Sequence, residues 1–238
     1  MDMFDIIGPI MIGPSSSHTA GAARIGRIAR LLLGGTPVEA QIGLWGSFQK
    51  TYKGHGTDRA LVGGLLDMAV DDPRLRDSLT YAKQAHLTVR FSNARLRNAH
   101  PNTVVLNVRN AEGRTLTLQA ASVGGGEIVV QKVDGLETAI GGHANTLVIT
   151  YRDTPGMIAR ISGAVAEGGL NIATMRVSRA SAGGEAIVTL ELDGCAGAAL
   201  LARLQACEDV YHVAYLAAYA DCADVPAPQG GEPHADHC

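Results

Sequence analysis

Residues Gly13-Pro14-Ser15-Ser16-Ser17-His18-Thr19 set four hydroxyls and one imidazole inside a very short stretch of chain. The run stands just ahead of a helical pattern. A helix start leaves backbone N–H groups unpaired and carries partial positive charge, which makes it a natural seat for a carboxylate or phosphate. Capping that helix needs only one Ser or Thr, so the surplus hydroxyls point to ligand contacts as well. An imidazole could move a proton near neutral pH; His18 either transfers a proton or fixes a ligand through an orienting hydrogen bond.

Further along, His55 lies between Gly54 and Gly56, which permit close backbone approach to a ligand or to another chain. Thr57-Asp58 reads as the cap of a helix. His100-Pro101-Asn102 forms a rigid turn into a strand, where His100 either lines a site or braces the loop. Gly124-Gly125-Gly126 lacks the Lys-Ser/Thr ending of a phosphate loop and reads as a bend between strands. His86, His143 and His212 read as structural residues with satisfied rings.

These groups are positioned by two blocks that separate near Gly141-Gly142. In the first, residues 24–33 have helical periodicity, with Ile25, Ile28, Ala29 and Leu32 on one face. Arg24, Arg27 and Arg30 form a neighbouring stripe that either is solvated or meets an acidic partner; Gly34-Gly35 stops the helix. A strand over 38–44 follows, then a helix carrying Leu61, Leu65 and Met68. Further strands are expected over 87–91, 103–108, 115–119 and 127–132, the middle two forming a hairpin around Asn110-Ala111-Glu112-Gly113. The block is α+β with a mainly antiparallel sheet. In the second block a strand (146–152), a turn, a helix (158–167), two strands (171–178 and 185–192), a helix (198–206) and a strand (210–217) follow in turn. That order, βαββαβ, is the ferredoxin-like arrangement.

Composition narrows the function class. The chain has 238 residues, 46% apolar and 18% charged, with a net charge of -3. A sizeable core is possible, and nucleic-acid binding is disfavoured. No apolar run reaches the ~18 residues of a membrane span, and the acidic start Met1-Asp2-Met3-Phe4-Asp5 lacks the charge of a signal peptide. A soluble cytoplasmic protein is expected. The four cysteines, Cys195, Cys207, Cys222 and Cys238, form no Cys-x-x-Cys pair. Cys195 and Cys207 are expected to pack as small apolar side chains. Residues 221–238 read as a disordered tail rich in Pro, Gly and His. His234, His237 and Cys238 there are a weak set of metal ligands, and no metal site is assigned.

The second block, with Tyr151-Arg152-Asp153-Thr154-Pro155-Gly156 before its helix and Gly169-Leu170-Asn171-Ile172 after it, resembles an ACT domain. That resemblance implies an allosteric module at 145–220, with Asp153, Gly156 and Asn171 as regulatory ligand contacts and a homodimer contact through the domain. Asn171 serves equally well as a strand-start residue. Serine-binding ACT domains that carry His and Asn on the first loop differ here, where Tyr151 and Asp153 stand nearest.

The first block, residues 1–142, resembles the β chain of the iron–sulfur-dependent L-serine dehydratases (L-serine ammonia-lyases). Four stretches carry the likeness: 13–19, Lys53-Gly54-His55-Gly56-Thr57-Asp58, His100-Pro101-Asn102-Thr103, and Ser122-Val123-Gly124-Gly125-Gly126-Glu127-Ile128. Together the two resemblances imply a serine dehydratase β-type α/β domain followed by an ACT domain. They imply L-serine as substrate, pyruvate and ammonia as products, and a cysteine-rich α chain bearing a [4Fe–4S] cluster as partner. His18 is then the catalytic candidate, and Ser15, Ser16, Ser17, Thr19, His55, His100 and Asn102 are the substrate contacts. Such a cluster acts as a Lewis acid on the leaving hydroxyl, a base removes the α-proton, and donors hold the carboxylate. The other readings are a regulatory amino-acid-binding module without catalysis, as in serine-pathway dehydrogenases, and a structural dimerisation protein.

Overall fold

A computed structural model describes residues 11–218. The tail cysteines and histidines, and the first residues of the chain, lie outside this range. The serine-rich run does more than precede a helix: Ser16–Gly21 forms a π-helical segment that leads directly into α1 (Ala22–Leu33). Next come β1 (Glu39–Leu44), α2 (Gly46–Thr51), α3 (Thr57–Leu65), a 3-10 turn (Pro73–Asp77) and α4 (Ser78–Gln84). Five strands complete the first block: β2 (Thr88–Asn93), β3 (Thr103–Arg109), β4 (Thr115–Gly124), β5 (Glu127–Val133) and β6 (Leu136–Ile140). They join β1 in a sheet of order β2-β1-β3-β4-β5-β6. Only β1 and β2 run parallel; every other pair is antiparallel.

α1 turns Ala22, Ile25, Ile28, Ala29 and Leu32 inward, onto the sheet and α3. Burying each Ile or Leu contributes roughly 1.5–3 kcal/mol. The two helices touch through backbone: a Cβ on Gly26 would stand 2.2 Å from the Leu61 carbonyl oxygen, and one on Gly64 only 2.0 Å from that of Ala23. The arginine stripe is partly solvated, with Arg27 exposed, and its acidic partners come from this same chain. Arg24 donates to the Gly126 carbonyl at 2.8 Å and faces Glu127, while Arg27 and Arg30 both reach Asp67. The expected Thr57-Asp58 cap is also corrected. Gly56, in the left-handed region at φ 71°, is the N-cap of α3, and Thr57 and Asp58 are its first helical residues.

The second block contains β7 (Asn145–Arg152), α5 (Met157–Glu167), β8 (Ile172–Arg179), β9 (Glu185–Leu192), α6 (Ala198–Gln205) and β10 (Val210–Leu216). Its antiparallel sheet, of order β10-β7-β9-β8, is the ferredoxin-like topology. Leu147, Ile149, Tyr151, Val188 and Leu190 meet Ile161, Val165 and Leu204 of the helices on one face. Val148, Ile187, Ala214 and Leu216, on the other face, belong to the core of the first block. Burial on both faces is why β7 and β9 each carry three consecutive apolar residues, Leu147-Val148-Ile149 and Ala186-Ile187-Val188, in place of strict alternation. No helix among the described residues is long and apolar enough to cross a membrane. Cys195 is exposed and Cys207 half-buried, so the expectation that both pack as core residues fails for Cys195.

Candidate functional site

Ser15 is extended at φ -145° and ψ 123°, and its Oγ accepts from the His18 backbone N–H at 3.3 Å. This cap turns the His18 side chain back toward Ser15, whose Oγ is also 3.3 Å from Nδ1. The other ring nitrogen, Nε2, lies 3.2 Å from the hydroxyl of Ser47. Phe48 meets the imidazole edge-on with ring centres 5.2 Å apart, and the His55 ring lies across it at 4.8 Å. His18 is 9% exposed. Burial, and then the nearby His55, hold its pKa below the ordinary histidine value, so the ring is neutral at pH 7.

The separate stretches of sequence meet here. The Pro101 carbonyl accepts from the N–H groups of Ser47 at 2.7 Å and Phe48 at 3.4 Å, so the 100–102 turn sets the first turn of α2. His100 braces that turn, its Nδ1 accepting from the Asn102 N–H at 3.2 Å. Asn102 ties the turn to β4: the Ser122 N–H donates to its carbonyl at 3.0 Å, and its own Nδ2 donates to the Ser122 carbonyl at 3.4 Å. The Thr19 hydroxyl is buried and donates to the His55 carbonyl at 3.5 Å, linking the π-helical segment to the glycine-flanked loop.

Ser15, Ser16 and Ser17 are half-buried and His55 is exposed, so the open side of the site carries hydroxyls and an imidazole. Thr19, by contrast, is turned inward and acts as a tether. Among the described residues, three buried side-chain oxygens around the site have no protein partner: Thr57 Oγ1, Asn102 Oδ1 and Ser122 Oγ. Sequence reasoning missed Ser47 and Phe48, which touch His18 directly. The only local sign is a Gly-Ser pair after a strand.

The three residues assigned to regulation do not form one site within a chain. Asp153 Oδ2 accepts from Arg179 at 2.8 Å and from the Gly183 N–H at 3.3 Å, and Arg179 holds this carboxyl below the usual carboxylate range. Gly156, at φ 88°, is the N-cap of α5 at that same end of the sheet. Asn171 donates to Asp193 at 2.7 Å at the opposite end, beside the start of β7. Among the other histidines, His143 pairs with Glu127. His212 is held as a structural residue by the Leu32 carbonyl, while its Nε2 is buried with no partner among the described residues. Among the described residues no group of three His, Cys, Asp or Glu side chains is placed to hold a metal.

Known proteins match along these same two blocks. The serine dehydratase beta chain family matches residues 1–84, and the ACT domain family residues 145–209. A probable L-serine dehydratase beta chain from Bacillus subtilis is 41% identical over 191 residues, covering 80% of this chain and 86% of that protein. The chain belongs to the L-serine dehydratase beta-chain family. A second member, from Peptoniphilus asaccharolyticus, is 36% identical over the same shares of both chains. The D-3-phosphoglycerate dehydrogenase of Methanocaldococcus jannaschii is 30% identical over 88 residues, or 37% of this chain and 17% of that protein. Membership in the beta-chain family therefore extends over far more of the chain than the likeness to a dehydrogenase, and a purely regulatory module is not favoured.

Proposed function

We propose that this chain supplies the substrate-binding and proton-handling face of an L-serine ammonia-lyase, in complex with an α chain. The observation that carries the reading is the His18 imidazole, walled by Phe48 and His55, beside the half-buried hydroxyls of Ser15, Ser16 and Ser17. An amino acid docked there places its carboxylate against the hydroxyls and the unpaired N–H groups of the π-helical start. His18, being neutral, is free to accept the proton released from Cα. His55, exposed across the ring, closes the other side of the bound substrate. Asn102 and His100 act one layer behind, by fixing α2.

Among the described residues, Cys195 and Cys207 belong to no three-ligand group placed to hold a metal. The cluster is assigned to the α chain. The ACT block is proposed to pair two copies and to carry allosteric control, supported by the exposed Met175 and Val177 on the edge strand β8.

The test is to co-express the chain with a cysteine-rich α chain under anaerobic conditions. Serine-dependent pyruvate formation by the pair, and none by this chain alone, is the expected result. A pair with an intact cluster but no activity, while this chain alone binds serine, would replace the catalytic reading with a regulatory one.

A further inference from the structure

Both ring nitrogens of His18 end on serine hydroxyls, Nδ1 on Ser15 at 3.3 Å and Nε2 on Ser47 at 3.2 Å. With Phe48 and His55 against the ring, an outside molecule reaches neither nitrogen without displacing a serine. A proton therefore arrives at this imidazole, or leaves it, through a hydroxyl. The two hydroxyls are not equivalent. Ser15 Oγ is committed to the helix start, where it accepts the His18 N–H. Ser47 Oγ has His18 as its partner, while its backbone is fixed by the Pro101 carbonyl and its own carbonyl accepts from Thr51. It is half-buried, with the exposed His55 across the same ring.

We propose that Ser47 is the proton-relay hydroxyl of this site, passing its own proton to His18 Nε2 as it takes the α-proton of the bound amino acid. The inference rests on the function proposed above. The Cα–H electron pair becomes the second bond between Cα and Cβ, and the Cβ–O bond breaks with loss of hydroxide. The α-proton ends on Ser47 Oγ and the former Ser47 proton on Nε2, leaving an imidazolium. Return of that proton to the hydroxide gives water and restores neutral His18. The relay requires the Nδ1–H tautomer, in which Ser15 Oγ accepts from both the His18 backbone and its ring; the two lone pairs of a hydroxyl allow this. The lowered basicity of the buried ring keeps it unprotonated between turnovers.

Two measurements test the relay. In the two-chain complex, Ser47→Ala should lower kcat by about 10²–10⁴-fold with KM within about threefold, and Ser47→Thr, which keeps a hydroxyl, should restore most of the loss. The double variant with His18→Ala should fall no further than His18→Ala alone, because the two groups act as a unit. In the full-length chain with ¹⁵N-labelled histidine, NMR should show His18 with a bare Nε2, whose shift moves in Ser47→Ala. If Ser47→Ala keeps wild-type kcat while His18→Ala is crippled, the relay is wrong and the proposed function stands. If both keep it, His18 has no catalytic part and that reading falls as well. If Ser47→Ala does not assemble, an Nε2–H tautomer or a crippled Ser47→Thr overturns the relay, and a bare Nε2 with an active Ser47→Thr supports it.

Discussion

Gly21 lies against Ser122 so closely that a Cβ added to the glycine would stand 2.2 Å from Ser122 Oγ and 2.8 Å from Ser122 Cβ. This contact locks the end of the π-helical segment onto β4, and with it the orientation of the residues that precede α1. Gly21→Ala should cost roughly 1–3 kcal/mol by overpacking, and adding Ser122→Gly should recover much of it. Denaturant melts of the single and double variants check this. Equal stability of Gly21→Ala and wild type would mean that the segment is not held there.

The α1–α3 crossing leaves less room still. A methyl on Gly64 meets backbone on two sides, the Ala23 carbonyl oxygen at 2.0 Å and the Arg27 nitrogen at 2.7 Å. Backbone cannot swing aside as a side chain can, so Gly64→Ala should destabilise by about 3 kcal/mol or more. A urea midpoint close to that of wild type would contradict the packing.

Much of this architecture is legible in the sequence because its signals are local. The 3.6-residue periodicity around Ile25, Ile28 and Leu32 gives α1, and the Asn110–Gly113 turn gives the β3–β4 hairpin. The βαββαβ order of the second block is likewise visible. What escapes depends on long-range contacts. α2 is six residues long and exists because the Pro101 carbonyl, far along the chain, satisfies its first N–H groups. Ser47 could not be placed beside His18 without it. The π-helical segment has no distinct sequence code: one extra residue is accommodated where Ser15 caps and Gly21 meets Ser122. β6 is a different kind of miss, since Asp134-Gly135, both at positive φ (49° and 83°), is a hairpin signal present in the sequence.

His212 couples stability to pH. It sits on β10 against the end of α1, bonded to the Leu32 carbonyl, and burial followed by the nearby Arg114 lowers its pKa to about 4. The unfolded chain binds this proton near pH 6.5, so the native state binds fewer protons between those values. Stability should therefore be full above about pH 6.5 and fall as the pH drops toward 4, by up to roughly 3 kcal/mol. His212→Leu should flatten that slope, as measured by melts across the range. An unchanged slope would assign the effect to other groups.

The acid limb of activity should report His18. Its pKa is lowered by burial and by His55, so kcat/KM of the two-chain complex should fall only when the pH drops below the ordinary histidine value. His55→Gln removes one positive neighbour and should move that limb upward. The pH profile of the pair of proteins settles it, and a limb that stays in place would mean that another group titrates.

The most direct test of the central claim is the structure of the chain bound to its α chain and L-serine. The account places the amino acid on Ser15, Ser16 and Ser17, with Ser47 and His18 behind it, and it would have the proposed α-chain cluster supply Lewis acidity to the leaving hydroxyl. A complex in which those hydroxyls face open solvent, with serine and cluster elsewhere, would contradict it.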